Sequence, residues 1–220
     1  MTQPRRRQER AERTRAQIID TAAAAFAEHG FDGVSFNGLV TESGLSKGAF
    51  YFHFSSKEDL AVATFRAKQE EMISRLFSES PPANWTERVA FLLRRRAQLI
   101  REDPALLCVS RLGTDLTARS SPGSVYASYH DLALGVIADL VAEGQRAGEF
   151  RADIRPEAAA RAVFAAMVGM DALSLLSSGG KDLESRTDEL IDLLLHGVLP
   201  RSGHPKPTTK PKKEPPRRQK

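Results

Sequence analysis

Little in these 220 residues invites covalent or redox chemistry. The single cysteine, Cys108, permits no intrachain disulfide and builds no thiolate metal site alone, so a reducing cytoplasm is the expected compartment. As a lone thiol it reads first as a small buried apolar side chain rather than a redox sensor. The five histidines, His29, His53, His130, His196 and His204, stand singly, and no metal-ligand or phosphate-loop spacing appears. A convergent acid, base and nucleophile is equally missing, so no catalysis, metal or cofactor is expected. Long apolar runs are absent too. The uncharged stretch Ala162–Met170 is too short to span a bilayer, and no apolar segment follows the N-terminal arginines, so neither export nor membrane anchoring is expected. What remains is a soluble globular protein whose 41% hydrophobic content suffices for a sizeable core.

Charge is abundant but unevenly placed. Of the net +4, residues 201–220 hold +7 and residues 1–15 hold +4, which leaves −7 on residues 16–200. Basic ends on an acidic body suggest a polyanionic partner met by flexible arms, because each neutralised phosphate releases counterions. Six prolines between Pro200 and Pro216, set among lysines and threonines, forbid helix, so residues 200–220 are expected as a disordered tail, with simple solubilisation as its alternative role.

Between these ends apolar residues recur with helical spacing. A first helix is predicted from about Glu9 to His29, with Ile18, Ile19, Ala22, Ala23 and Phe26 on one face and Gly30 as its stop. Residues 1–8 are expected to precede it as a disordered basic arm. Ser35 caps a helix of about eight residues carrying Phe36, Leu39 and Val40, which halts at Ser43 and Gly44. Ser46 opens another to about Phe54, and Ser56 a longer one holding Leu60, Phe65, Met72, Ile73 and Phe77. Two short helices joined by a tight glycine turn are the helix-turn-helix pattern.

The second short helix makes most sense with one side against DNA. At roughly 100° per residue Phe50 and Phe54 share a core-facing side, Gly48 and Phe52 lie opposite, and Tyr51 and His53 flank them. Gly48 and Ala49 leave the helix start bare enough to enter a major groove, with Lys47 in reach of a base edge and Phe52 of a thymine methyl. Tyr51, His53 and Lys57 then face phosphates. Taken singly, Tyr51, Phe52 and His53 are equally ordinary packing residues; their company within one motif favours the interface.

Arg13 to Leu60, with Ile18, Ala22, Phe26, Gly30, Gly44, Ser46, Lys47, Gly48, Tyr51, His53, Phe54, Ser56 and Lys57, resembles the DNA-binding domain of TetR-family regulators. The resemblance implies an all-α chain: an N-terminal three-helix helix-turn-helix domain, here residues 9–55, followed by a helical-bundle regulatory domain, residues 56–199. It further implies a homodimer on double-stranded operator DNA and a small-molecule effector. By position it assigns groove contacts to Lys47, Gly48, Ala49 and Phe52 and phosphate contacts to Tyr51, His53 and Lys57. Ser35 and Thr41 match backbone-contact positions loosely, Ser46 is the cap within the motif, and Gly38 stands where a better helix former is usual.

Five more helices follow: Trp85 to Arg101; a shorter one opened by Pro104; a long one after Pro122 with Leu132, Val136, Ile137, Leu140 and Val141, ending in Gly144–Gly148; one from Pro156; and Leu183 to Leu199 with Leu190, Ile191, Leu194 and Leu195. Arg94 to Arg96 reads as a solvated face. The last two helices are either plain core or, as the resemblance implies, a four-helix dimer interface. Residues Arg111, Leu112, Tyr126, Ala159, Ala160, Arg161, Gly169, Ser178, Gly179, Asp182, Leu183 and Leu194 narrow the resemblance to the gamma-butyrolactone receptors of actinomycetes. Those receptors carry tryptophan where this chain has Tyr129. Trp85, Cys108, Tyr126, Tyr129, Phe164 and Met167 are the candidate wall of a cavity for a small, mostly apolar effector with a carbonyl or hydroxyl, core packing being the competing role of each. A DNA-binding regulator or structural protein without an effector is the alternative reading of the whole.

Overall fold

Serine side chains start three successive helices in the computed structural model, which describes residues 3–117 and 125–198. The Ser35 hydroxyl accepts from the Gly38 amide at 2.9 Å, Ser46 from Ala49 at 3.2 Å and Ser56 from Asp59 at 3.0 Å, so each satisfies an amide the helix leaves free. Among the described residues there are nine α-helices and no strand. They are α1 (Gln3–Gly33), α2 (Phe36–Glu42), α3 (Lys47–His53), α4 (Lys57–Leu76), α5 (Trp85–Glu102), α6 (Leu107–Thr117), α7 (Val125–Arg146), α8 (Pro156–Ser178) and α9 (Leu183–Val198). Pro104 opens a short 3-10 turn, Pro104–Leu106, ahead of α6.

Several boundaries differ from the sequence expectation. Helix α1 begins at Gln3, so residues 3–8, expected as a disordered arm, continue it as helix, exposed over residues 5–8. Gly30 breaks it, with φ 69° and ψ 178°, and the chain turns once more before Gly33. Helix α7 ends at Arg146, inside the expected stretch Gly144–Gly148; the Gly144 carbonyl accepts from the amides of Glu149 and Phe150, and a side chain here would enter the Phe150 ring. Gly148, with φ 75°, makes the turn. The expected tail, 200–220, lies outside the described residues.

One continuous core runs from the N-terminal helices into the bundle. Ile18, Phe26, Leu39, Phe50 and Phe54 join Leu60 and Phe65 of α4, and these join Leu99, Leu106, Cys108, Leu112, Tyr126 and Leu183. Lys68, buried on α4, crosses to Asp20 of α1 at 2.9 Å and to Glu71 at 2.9 Å. Burial alone would lower its pKa, but these two carboxylates outweigh it and hold the ammonium charged. Ile73 and Phe77, by contrast, point outward, as do Leu132 and Val136 of α7.

Candidate nucleic-acid interface and ligand cavity

Helix α3 keeps Phe50 fully buried and Phe54 at its end nearly so, while Phe52 on the opposite side is 76% exposed. Nothing lies within 4 Å of where a side chain on Gly48 would stand, so the start of α3 presents backbone to solvent. Lys47 is exposed and sits 5.8 Å over the Tyr51 ring, which packs edge-on against Phe36 of α2 at 5.1 Å. Half-buried His53 meets the Phe52 ring edge-on at 5.0 Å. Lys47, Gly48, Ala49, Tyr51, Phe52 and His53 therefore lie on one short helix, with its outer face free.

Ser35 and Ser46 cap α2 and α3, and the Thr41 hydroxyl bonds back to the Asn37 carbonyl at 3.2 Å. Gly38 has a local reason: a side chain there would stand 2.8 Å from the Ser35 hydroxyl and disturb the cap.

Lys57, expected to face a phosphate, is engaged within the chain. Its ammonium donates to the carbonyls of Phe31 at 2.9 Å and Val34 at 3.0 Å, and it lies 4.1 Å over the Phe31 ring. Its place is to tie the start of α4 to the loop after α1.

A cavity of about 590 Å³ opens among α5, α6, α7 and α8. Four of the six expected wall residues line it: Tyr126, Tyr129, Phe164 and Met167. Trp85 and Cys108 do not. Trp85 stacks under Arg88 at 4.3 Å at the start of α5, where Glu149 caps its amide. Cys108 is fully buried in the main core, where burial pushes its thiol up to about 12.

Sequence reasoning missed the polar end of the cavity. Arg96, expected in a solvated face, is 17% exposed in its side chain; it forks onto Asp171 of α8, which is 4% exposed. Ser110 of α6 accepts from Arg96 at 2.9 Å and donates to Asp171 at 2.6 Å. The helical spacing of Leu93, Arg96, Ala97 and Ile100 was the signal available, since three successive arginines cannot all face one side. Arg94 alone of the three is exposed, paired with Asp188. Burial pushes the Tyr129 phenol up, with Arg96 opposing and Asp171 adding to the rise, so it remains a donor at neutral pH. The Tyr126 hydroxyl is buried without a hydrogen-bond partner among the described residues. His130, also in the wall, meets the Phe164 ring at 4.9 Å.

The next face of α6 grips the end of α1. Arg111 donates to the carbonyls of Ala27 at 3.1 Å and Glu28 at 2.7 Å, and the Phe31 amide donates to Asp115 at 2.9 Å. Gly30 is required between them. Its φ is in the left-handed region, and a side chain would stand 2.9 Å from Asp115 and 3.2 Å from Arg111.

Two family models cover most of this architecture: residues 18–64 match that of the bacterial regulatory proteins of the tetR family, and residues 84–190 match a tetracyclin repressor-like C-terminal domain. The chain is similar to the A-factor receptor protein of Streptomyces griseus, 27% identical over 90% of this chain and 67% of that one. It is also similar to the fatty acid metabolism regulator protein of Bacillus subtilis, 23% identical over 83% and 94%. The solved structure of a gamma-butyrolactone receptor matches with a TM-score of 0.71 and 27% identity, covering 87% of this chain and 90% of that one. These relatives are regulators of transcription, not enzymes, and the chain belongs to the tetR family of bacterial regulatory proteins.

Proposed function

We propose that this protein is a cytoplasmic homodimeric repressor that reads operator DNA through α3 and releases it when a small, mostly apolar molecule fills the cavity. The observation that carries this reading is the division of α6. Val109, Ser110, Gly113 and Thr114 line the cavity, while the adjoining Arg111 and Asp115 hold the end of α1. A molecule that binds better when α6 is displaced weakens that grip and favours a different spacing of the two reading heads. Such coupling needs only differential affinity, typically about 1–3 kcal/mol, or 5–150-fold.

The cavity's chemistry favours an uncharged carbonyl compound, as in a gamma-butyrolactone, over a fatty acid. Arg96 is committed to Asp171, so a carboxylate finds no free guanidinium there and meets a like charge instead. Tyr129 offers a donor to a neutral acceptor. The second copy is supported by α8 and α9. Helix α8 is the one described helix long and apolar enough to cross a membrane, and its most apolar window is only 22% buried within the chain. Leu173 and Leu176 of α8 and Leu193 of α9 are exposed. Leu194, grouped with the interface residues in the sequence, packs inward on Ala90, Leu93 and Ile191.

Operator duplex selected from a random pool, with release followed by fluorescence anisotropy, tests the reading. A medium-chain gamma-lactone is expected to release the wild type, and its ring-opened hydroxy acid to act far more weakly. Tyr129→Phe and Tyr129→Trp are expected to shift the lactone response while leaving lactone-free DNA affinity nearly intact. If no lactone or actinomycete culture extract releases the wild type, the sensor reading fails; if the acid is the better effector, the carbonyl assignment fails.

A further inference from the structure

Six arginines stand in the first fifteen residues, and α3 accounts for none of them. Arg15 alone is engaged near the motif, 5.3 Å over the Phe54 ring that follows α3. Arg5 pairs weakly with Glu9 at 3.4 Å, and Glu12 is taken by Gln8 at 3.1 Å. Arg6, Arg7, Arg10 and Arg13 are exposed and form no ion pair among the described residues. Their number and lack of partners would mean little on a floppy arm, but α1 is helical from Gln3 onward.

That helix fixes both where the arginines lie and which way they face. The other end of α1, Ala27 to Phe31, is held against α6 by Arg111 and Asp115, so its N-terminal turns lie at the opposite end of a 31-residue helix. Arg6, Arg10, Arg13 and Gln17 follow one another by four, three and four residues and form a single stripe. Gln17 ends the stripe on the motif itself, donating to the Ser43 carbonyl in the turn between α2 and α3 at 3.1 Å. At about 1.5 Å per residue the stripe runs roughly 16 Å beyond that anchor, on the end of the molecule that carries the reading helix. Residues 16–200 carry −7, so the stripe is a basic element on an acidic body.

We propose that Arg6, Arg10 and Arg13 form a rigid second contact with duplex DNA, gripping phosphates on the backbone that flanks the groove occupied by α3. Three arginines span about 10 Å of helix, and each strand presents one charge per 3.4 Å of axis, so all three find phosphates along one short stretch. Because the helix is already formed, the contact requires less ordering than a flexible arm does. Backbone contacts of this kind carry no sequence information, so they raise affinity for operator and random duplex alike. The inference rests on the assignment of DNA as partner but adds a site that the helix-turn-helix does not contain.

Binding of the full chain to a random-sequence duplex is measured between 50 and 200 mM salt. Arg6→Gln, Arg10→Gln and Arg13→Gln are combined, beside the same three sites as Lys and a body control combining Arg155→Gln, Arg161→Gln and Lys181→Gln. Each lost phosphate contact lowers the salt slope by about 0.9, so the Gln triple is expected to lose about 2.7 of slope, equivalent to roughly 40-fold less salt sensitivity over that range. The Lys triple and the body control are expected to keep the wild-type slope, and the far-ultraviolet circular dichroism of all three to stay helical. Equal slopes for wild type and the Gln triple overturn the proposal, as does an equal loss in the body control. If the wild type binds no duplex at any salt, the DNA-binding reading falls with it, whereas binding with an unchanged Gln triple removes only the second contact.

Discussion

Replacing Asp171 with Asn removes a charge while keeping nearly the same volume, which isolates the electrostatics of the cavity's polar end. In the wild type Asp171 takes both arms of the Arg96 guanidinium and the Ser110 hydroxyl, and only 4% of its surface is exposed. The variant leaves Arg96 without a counter-charge, though an amide oxygen still accepts one hydrogen bond. Breaking a buried pair costs about 3–5 kcal/mol, and the surviving bond and the residual 17% exposure of Arg96 place this case near 3 kcal/mol. For a chain of this size about 1 kcal/mol moves the melting midpoint by 2–4 °C, so a fall of roughly 6–12 °C is expected. Removing both charges, as Arg96→Met with Asp171→Leu, is expected to bring the midpoint back to within about 4 °C of wild type, because apolar replacement of a buried pair is often neutral. Thermal unfolding by circular dichroism at one fixed protomer concentration measures both, since dimerisation makes the midpoint concentration-dependent. An Asp171→Asn midpoint within 2 °C of wild type, or a double variant no better than the single, would refute the reasoning.

Leu193→Glu sets a carboxylate on an exposed leucine of α9; if α8 and α9 meet a second copy, an unpaired ion is buried at a cost of about 4 kcal/mol, or 1,000-fold in dimer affinity. Light scattering at micromolar concentration is expected to find monomers, with Leu132→Glu on α7 unaffected; a monomeric wild type sinks the dimer. Lys57→Met leaves the Phe31 and Val34 carbonyls without their donor, and charge-assisted bonds of this kind are worth about 2 kcal/mol together, or about 4–8 °C. An unchanged midpoint with a reduced salt slope of DNA binding would return Lys57 to the phosphate role.

Local signals were legible in the sequence and pairings across the chain were not. Ser35, Ser46 and Ser56 announce their helices because a cap is decided within three residues, and Gly30 announces a break because its backbone conformation is decided by one. The positions of Phe50 and Phe54 follow from helical period alone. Arg96 was misplaced, and the inward bonds of Lys57 went unseen, for the opposite reason: their partners, Asp171 and the Phe31 and Val34 carbonyls, are set by packing between helices far apart in sequence. Trp85 and Cys108 were assigned to the right helical region but the wrong height and face, which apolar periodicity does not specify. The stretch Gly144–Gly148 did mark the end of α7, but that Gly144 is small so that Phe150 can close over it depends on packing the sequence does not specify.

The cations of this chain divide by what holds them, and that division connects cavity to interface. Arg96, Arg111, Lys57 and Lys68 are each spent inside, on Asp171, the end of α1, the loop after it, and Asp20 with Glu71. All four act at junctions between helices, Lys68 also pairing with Glu71 within α4. Two of them, Arg111 and Lys57, grip the residues from Ala27 to Val34, one from α6 and one from α4. The segment that ends α1 is therefore clasped from both helices, so under the proposed function a displacement of α6 relative to α4 acts on the orientation of α1. Towards its other end α1 touches the motif, where Gln17 holds the turn before α3 and Arg15 lies on Phe54. Paired cations thus hold the end of α1, while Lys47 of α3 and Arg6, Arg7, Arg10 and Arg13 of α1, which form no ion pair among the described residues, stand where the proposed function puts DNA.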